Sequence, residues 1–333
     1  MRHGLFALLA VATLGGTATA EPLKYHVVAR IALPDGGWDL GSFDPVLRRV
    51  YIARGGGVTA IDVDTGQVTG KLVAAAKGHT VVPLRQGAEI LVTSSGTNTA
   101  DIFDATTGAS LASIPAGQKP DGALFDAATG LAVVMNGHGG DLTLIDPATR
   151  KAVGSIPIGG GLELGAGDGQ GRLFVNVEDR NQLAVVDLKT RAVLLRIPLT
   201  GCEGPTGVAW LPVSRRVLSS CANGVAVVTD PAAGKAERTF PIGQDPDSVL
   251  YDSLRELAFV PAGGSAELDV FADEPQGVRA MGMVKTQQGA RSGAVDPKTG
   301  RIYLTAADYS PPATPGGKAQ VKPGSVVALV VAP

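Results

Sequence analysis

A short motif returns along this 333-residue chain with a step of about 42 residues. It is an apolar run ending in Asp, two variable residues, then Thr followed by Gly or Arg. It reads Ala60-Ile61-Asp62-Val63-Asp64-Thr65-Gly66, Ile102-Phe103-Asp104 with Thr107-Gly108, Leu144-Ile145-Asp146 with Thr149-Arg150, and Val185-Val186-Asp187 with Thr190-Arg191. Val228-Thr229-Asp230 with Gly234 is a fifth copy, and Val270-Phe271-Ala272-Asp273 with Gly277 a degenerate sixth. The clear Asp anchors fall at 62, 104, 146, 187 and 230, which are steps of 42, 42, 41 and 43. Such a fixed period means one supersecondary unit repeated along the chain.

A second motif runs in phase with the first: an apolar strand, a turn, and a second apolar strand. Gly41-Ser42-Phe43-Asp44 leads to Val50-Tyr51-Ile52, Gly122 to Asp126 leads to Leu131-Ala132-Val133, and Gly293-Ala294-Val295-Asp296 leads to Ile302-Tyr303-Leu304. Each unit thus holds about four short strands divided by turn residues, and no stretch keeps a helical period. Four strands in about 42 residues is the size of a β-propeller blade. Blades start near Asp39, His79, Asp121, Leu162, Thr206, Asp247 and Arg291, which predicts an all-β, seven-bladed propeller of four-stranded antiparallel blades. The run Ser325–Val331 occupies a third-strand position with no fourth strand after it, whereas His26–Pro34 resembles the fourth strands elsewhere. The N-terminal strand is therefore expected to complete the last blade and close the ring.

Residues 1–20 carry the three parts of a secretory signal peptide: Arg2 and His3, the apolar run Gly4–Leu14, and Ala18-Thr19-Ala20 before Glu21. Residues 21–333 are then expected to form one propeller domain in the periplasm or outside the cell. Apolar residues make up 44% of the chain and charged residues 18%, ample for a core. A formal charge of −2 leaves no basic footprint for nucleic acid, and no apolar run reaches the roughly 18 residues of a membrane span. A monomer is expected.

With the Ile/Val-Asp-x-x-Thr-Gly/Arg units in view, the repeats resemble the YVTN-repeat, YncE-like family of exported seven-bladed propellers. Three longer stretches look like one exported bacterial branch of it: Gly171–Asp179, Cys202–Gly207, and Gly289-Ala290-Arg291 with Asp296–Tyr303. The resemblance covers residues 24 to 333. It implies the fold and a role in ligand or partner binding, and no particular reaction.

In such a ring, the residue entering each first strand faces the central axis. Down the blades these are Asp39, His79, Asp121, Leu162 with Glu163 beside it, Thr206, Asp247 and Arg291. Like charges gathered at one rim disfavour each other, so a cation or Arg291 should balance them. The loop Asn136–Gly140 brings His138 to the same face. A 19-residue loop, Ala306–Gly324, reaches it with Tyr309 and four prolines and is read as lacking structure of its own. Asp39, His79, Asp121, Glu163, Thr206, Asp247, Arg291 and His138 are therefore the candidate ligand-binding residues. The first reading is a binding funnel for a small molecule or a periplasmic protein, with no cofactor. The alternative is a lactonase-like hydrolase or lyase in which Asp39, Glu163 or Asp247 holds a divalent cation and His79 or His138 acts as general base.

Cys202 precedes a first strand and Cys221 ends its antiparallel partner, so both sit at the same end of blade five. An exported chain would pair them, adding about 3 kcal/mol by chain entropy. The spacing lacks Cys-x-x-Cys, which argues against a redox or copper pair. Gly159-Gly160-Gly161 and the Gly165-x-Gly167-x-Gly169 run have no following helix, so a nucleotide loop is not expected. Neither a Gly-x-Ser-x-Gly elbow nor a Ser/His/Asp order can be read.

Overall fold

The computed structural model describes residues 24–312 and 319–333. The signal-peptide reading of residues 1–20 and Pro315 of the long loop fall outside them. Among the described residues, strands form seven four-stranded antiparallel sheets and one two-stranded hairpin. The seven first strands are Trp38–Asp44, Gly78–Leu84, Pro120–Asp126, Leu162–Gly167, Pro205–Leu211, Leu250–Asp252 and Gly293–Asp296. Each touches the first strand of the next blade, and the seventh touches the first, so they line the axis of a closed ring.

The alternation of side chains along the strands assembles the ring. Successive residues point to opposite faces of a sheet, and both faces are apolar here. In blade one, Val50 and Ile52 pack toward blade seven, whereas Tyr51 and Ala53 pack toward blade two. The same division gives seven apolar clusters, one at each junction between blades. No blade holds a core of its own, which is why the repeats must stack.

The recurring Asp has a local cause. Asp62 accepts from the amides of Asp64 and Thr65 at 3.1 and 2.8 Å and from Thr65 Oγ1 at 2.9 Å, closing the turn between third and fourth strands. Asp104, Asp187 and Asp230 each accept two amides of their own turn in the same way. Gly66 then takes a left-handed φ of 75°, the conformation glycine adopts without strain. These turns, and those between first and second strands, lie at the end of the blades opposite the strand entries.

Ring closure follows the expected route. Blade seven has the order Gly293–Asp296, Arg301–Ala306, Val327–Ala332 and His26–Ala32, with His26 opposite Ala332. The C-terminal strand begins at Val327, two residues after the expected start. The 306–324 loop differs from expectation. Tyr309–Ser310 pairs with Gln320–Val321, because Tyr309 and Val321 are anchored on the apolar cluster between blades seven and one. Trp210 stacks on Phe174 at 5.2 Å and belongs to the packing between blades four and five.

Candidate functional site

The first strands of blades one to five are bulged where they leave the ring mouth. In blade one, Trp38 pairs with Arg54 but Gly41 pairs with Ile52, so the first strand carries one extra residue. The same slip occurs at Gly78/Val81, Pro120/Ala123, Leu162/Gly165 and Pro205/Val208. A bulge bends its strand and re-aims a side chain. The residue after each rim partner is Asp39, His79, Asp121, Glu163 and Thr206, and an isolated bridge between Pro246 and Ala262 gives Asp247 the same place. Arg291 precedes Gly293 by the matching interval.

Two sequence expectations change here. Five of the ring residues lie inside their strands rather than before them. In blade four Glu163, not Leu162, takes the ring position. Leu162 aligns with Trp38 and Pro120 and is fully buried in the junction with blade three.

The register brings the ring side chains into contact. His79 Nδ1 lies 2.5 Å from Asp39 Oδ2 and 3.6 Å from Asp121 Oδ1. Its Nε2 lies 2.8 Å from Ser95 Oγ. Lys119 Nζ pairs with the other oxygen of Asp121 at 3.1 Å. Across the mouth, Arg291 Nε pairs with Asp247 Oδ2 at 3.1 Å. Thr206 Oγ1 donates to the Pro246 carbonyl at 2.9 Å, a bond within the wall.

This crowding of carboxylates shifts their protonation. Burial, with Asp121 and Glu178 nearby, pushes Glu163 up to about 8. Burial also pushes Asp247 up to about 6, against the opposing pull of Arg291. The hydrogen bond to Asp39 raises His79 above its ordinary value, with burial opposing it. Near neutrality Glu163 therefore keeps its proton.

A cleft of about 700 Å³ opens beside this ring over blades one to three. Trp38, Asp39, Lys77, His79, Ser95, Asn98, Gln118, Lys119 and His138 line it. His138 is thus brought to the same face as Asp39 and His79. Arg291 instead lines a neighbouring pocket with Trp38, Asp245 and Tyr309. The ligand atoms of Asp39, His79 and Asp121 all lie within 4.8 Å of one another, a spacing that a metal ion could bridge. Neither Glu163 nor Asp247 belongs to that group. A cation held through His79 Nδ1 would displace that atom's bond to Asp39.

Sequence reasoning missed Ser95, Asn98, Lys77, Gln118 and Lys119. Ser95–Asn98 is the blade-two turn equivalent to the one that carries His138, so the same alignment of repeats reaches it. Lys77 and Lys119 stand two residues before their ring residues with φ of 54° and 52°, where Gly204, Asp245 and Gly289, also left-handed, stand in blades five, six and seven. Left-handed backbone disfavours any residue with a Cβ.

The Cys202–Cys221 disulfide is formed, with Cα atoms 5.5 Å apart, and both cysteines are buried in the junction between blades four and five. It points to an oxidising, non-cytosolic compartment. Among the described residues, no helix is long and apolar enough to cross a membrane.

No family profile matches the chain, and no curated protein matches it in sequence. Solved structures do match in shape. A chain of the crystal structure of a mitotic checkpoint complex superposes with a TM-score of 0.77 at 13% identity, covering 100% of this chain and 99% of that one. Hydrazine synthase of Kuenenia stuttgartiensis gives 0.71 at 15% identity over 88% of this chain and 96% of that one. U3-55K gives 0.73 at 10% identity over 90% and 98%. At such identities the likeness is one of fold.

Proposed function

We propose that this chain is an exported propeller that binds a small anionic molecule in the cleft between blades one and three. The observation that carries this is the lining. Lys77, Lys119, His138, Asn98 and Gln118 offer hydrogen-bond donors beside Trp38 in a volume suited to a small ligand. Ammonium and amide donors converging on a concave surface recognise carboxylate or phosphate groups. Export is supported by the disulfide and by the residue pattern of the first twenty positions. The 42-residue repeat supports a place in the YncE-like family.

Calorimetric titration with a panel of small mono- and dicarboxylates and sugar phosphates tests this reading. At least one should bind in the micromolar to millimolar range, and the double variant Lys77→Ala/Lys119→Ala should lose at least ~10-fold in affinity. Binding that is untouched by that variant, or no binding across the panel, overturns it.

The cation-dependent hydrolase or lyase has one observation in its favour, the grouping of Asp39, His79 and Asp121. Metal analysis of the purified chain separates the two: stoichiometric calcium, magnesium or zinc that Asp121→Asn abolishes would favour the enzyme.

A further inference from the structure

We propose that Asp39, His79 and Ser95 form an acyl-transfer triad that hydrolyses an ester or lactone of a small carboxylic acid in the cleft. The three residues come from separate elements: the first strand of blade one, the first strand of blade two, and the turn after the second strand of blade two. Each spacing is that of a hydrogen bond, 2.5 Å from Asp39 Oδ2 to His79 Nδ1 and 2.8 Å from His79 Nε2 to Ser95 Oγ. All three line the cleft.

The order of contacts sets the chemistry. A neutral imidazole that donates from Nδ1 to Asp39 keeps its lone pair on Nε2, facing the Ser95 hydroxyl. Ser95 Oγ also reaches the Lys77 carbonyl at 3.4 Å, a longer and weaker contact than the 2.8 Å one to His79 Nε2. Ser95 sits on an accessible turn and is half-buried, so a carbonyl group can reach it. Asn98 closes the same turn. Its Oδ1 accepts the Lys119 amide at 2.9 Å, and its Nδ2 is the group on this turn that would donate to an oxyanion.

In the first step Ser95 Oγ bonds to the ester carbonyl carbon while its proton passes to His79 Nε2. The bond from that carbon to the alcohol oxygen breaks, and the leaving oxygen takes the proton from Nε2. Water then attacks the acyl-Ser95 ester, giving one proton to Nε2. The carboxylic acid departs as Ser95 Oγ takes that proton back. No oxidant or further reactant is needed.

The inference rests on the cleft being the ligand site. Its test treats the full chain with a fluorophosphonate probe, maps the label by peptide mass, and follows 4-nitrophenyl butyrate hydrolysis with and without EDTA. Label on Ser95 and EDTA-insensitive turnover are expected. Ser95→Ala and His79→Asn should each lower turnover at least ~10³-fold, and the double variant no further, since triad members act as a unit. Circular dichroism of Ser95→Ala, which deletes one half-buried hydroxyl, checks that the fold is kept. No label on folded protein, turnover that survives Ser95→Ala, or turnover lost to EDTA overturns the triad. Carboxylate binding that persists in Ser95→Ala beside an unreactive wild type sinks the triad and leaves the binding site standing. A labelled Ser95 in a protein whose affinity ignores Lys77 and Lys119 does the reverse.

Discussion

At the lower turns, Asp62, Asp104, Asp187 and Asp230 occupy equivalent positions and each bonds the amides of its own turn. At the upper mouth, Asp39, His79, Asp121, Glu163, Thr206, Asp247 and Arg291 also occupy equivalent positions, yet they comprise five residue types with different partners. One end of the repeat solves a backbone problem that is the same in every blade. The other end has no shared backbone task, because the strand bulges already fix the chain there. Its side chains are free to differ, and together they build an asymmetric site.

The largest test of this contrast lies at the lower end. Asp296 is fully buried, accepts the Lys298 amide and Thr299 hydroxyl, and pairs with Arg48 of blade one at 2.9 Å. Asp296→Ala should cost about 2 kcal/mol in urea denaturation, since it removes the buried acceptor of a turn amide, the Thr299 hydroxyl and the part-buried Arg48, which keeps Asp64 as a partner. Ligand affinity and Ser95 labelling should stay at wild-type levels. A cost under ~1 kcal/mol, or an altered cleft, would break the division between the two ends.

A middle-sized effect is expected at Glu163. Its proton is held more tightly in the folded chain than in the unfolded one, so between about pH 4.5 and 8 the native state carries the extra proton. Stability must then fall as pH rises through that window. Glu163→Gln keeps the shape and removes the ionisation, so it should flatten the decline by roughly 1–2 kcal/mol between pH 5 and pH 8, after discounting for solvent screening. Equal slopes for the two proteins in thermal melts across that range would show that the mouth tolerates its charges.

The smallest effect is at Lys77. Lys77→Gly relieves a left-handed residue but frees the unfolded chain, so the net change in stability should lie within ~1 kcal/mol of zero. Affinity for the anionic ligand should nonetheless fall several-fold. A substitution that leaves stability intact and weakens binding marks a residue kept for its side chain.

The sequence period was enough to predict the blades, their count, the closure by the N-terminal strand and the cysteine pairing, because strand alternation and turn chemistry are local. Glu163 was offset by one position because a bulge changes which residue faces inward, and a bulge leaves no mark in an apolar pattern. Ser95 was invisible for another reason. It lies 56 residues from Asp39 in sequence and meets it only through His79 of the next blade. The hairpin at Tyr309–Ser310 was hidden by the surrounding prolines, which read as loop.

Blade seven joins residues 26–32 to residues 293–332. While the chain is being made from its N-terminus, the seam must wait until residue 332 has emerged. Until then the strand His26–Ala32 has no neighbour, and the apolar flanks of blades one and six stay wet. The slowest step of folding is then expected to be a late zipping across nearly the full contour of the chain, and a nascent protein at that stage offers sticky surface for chaperones to cover.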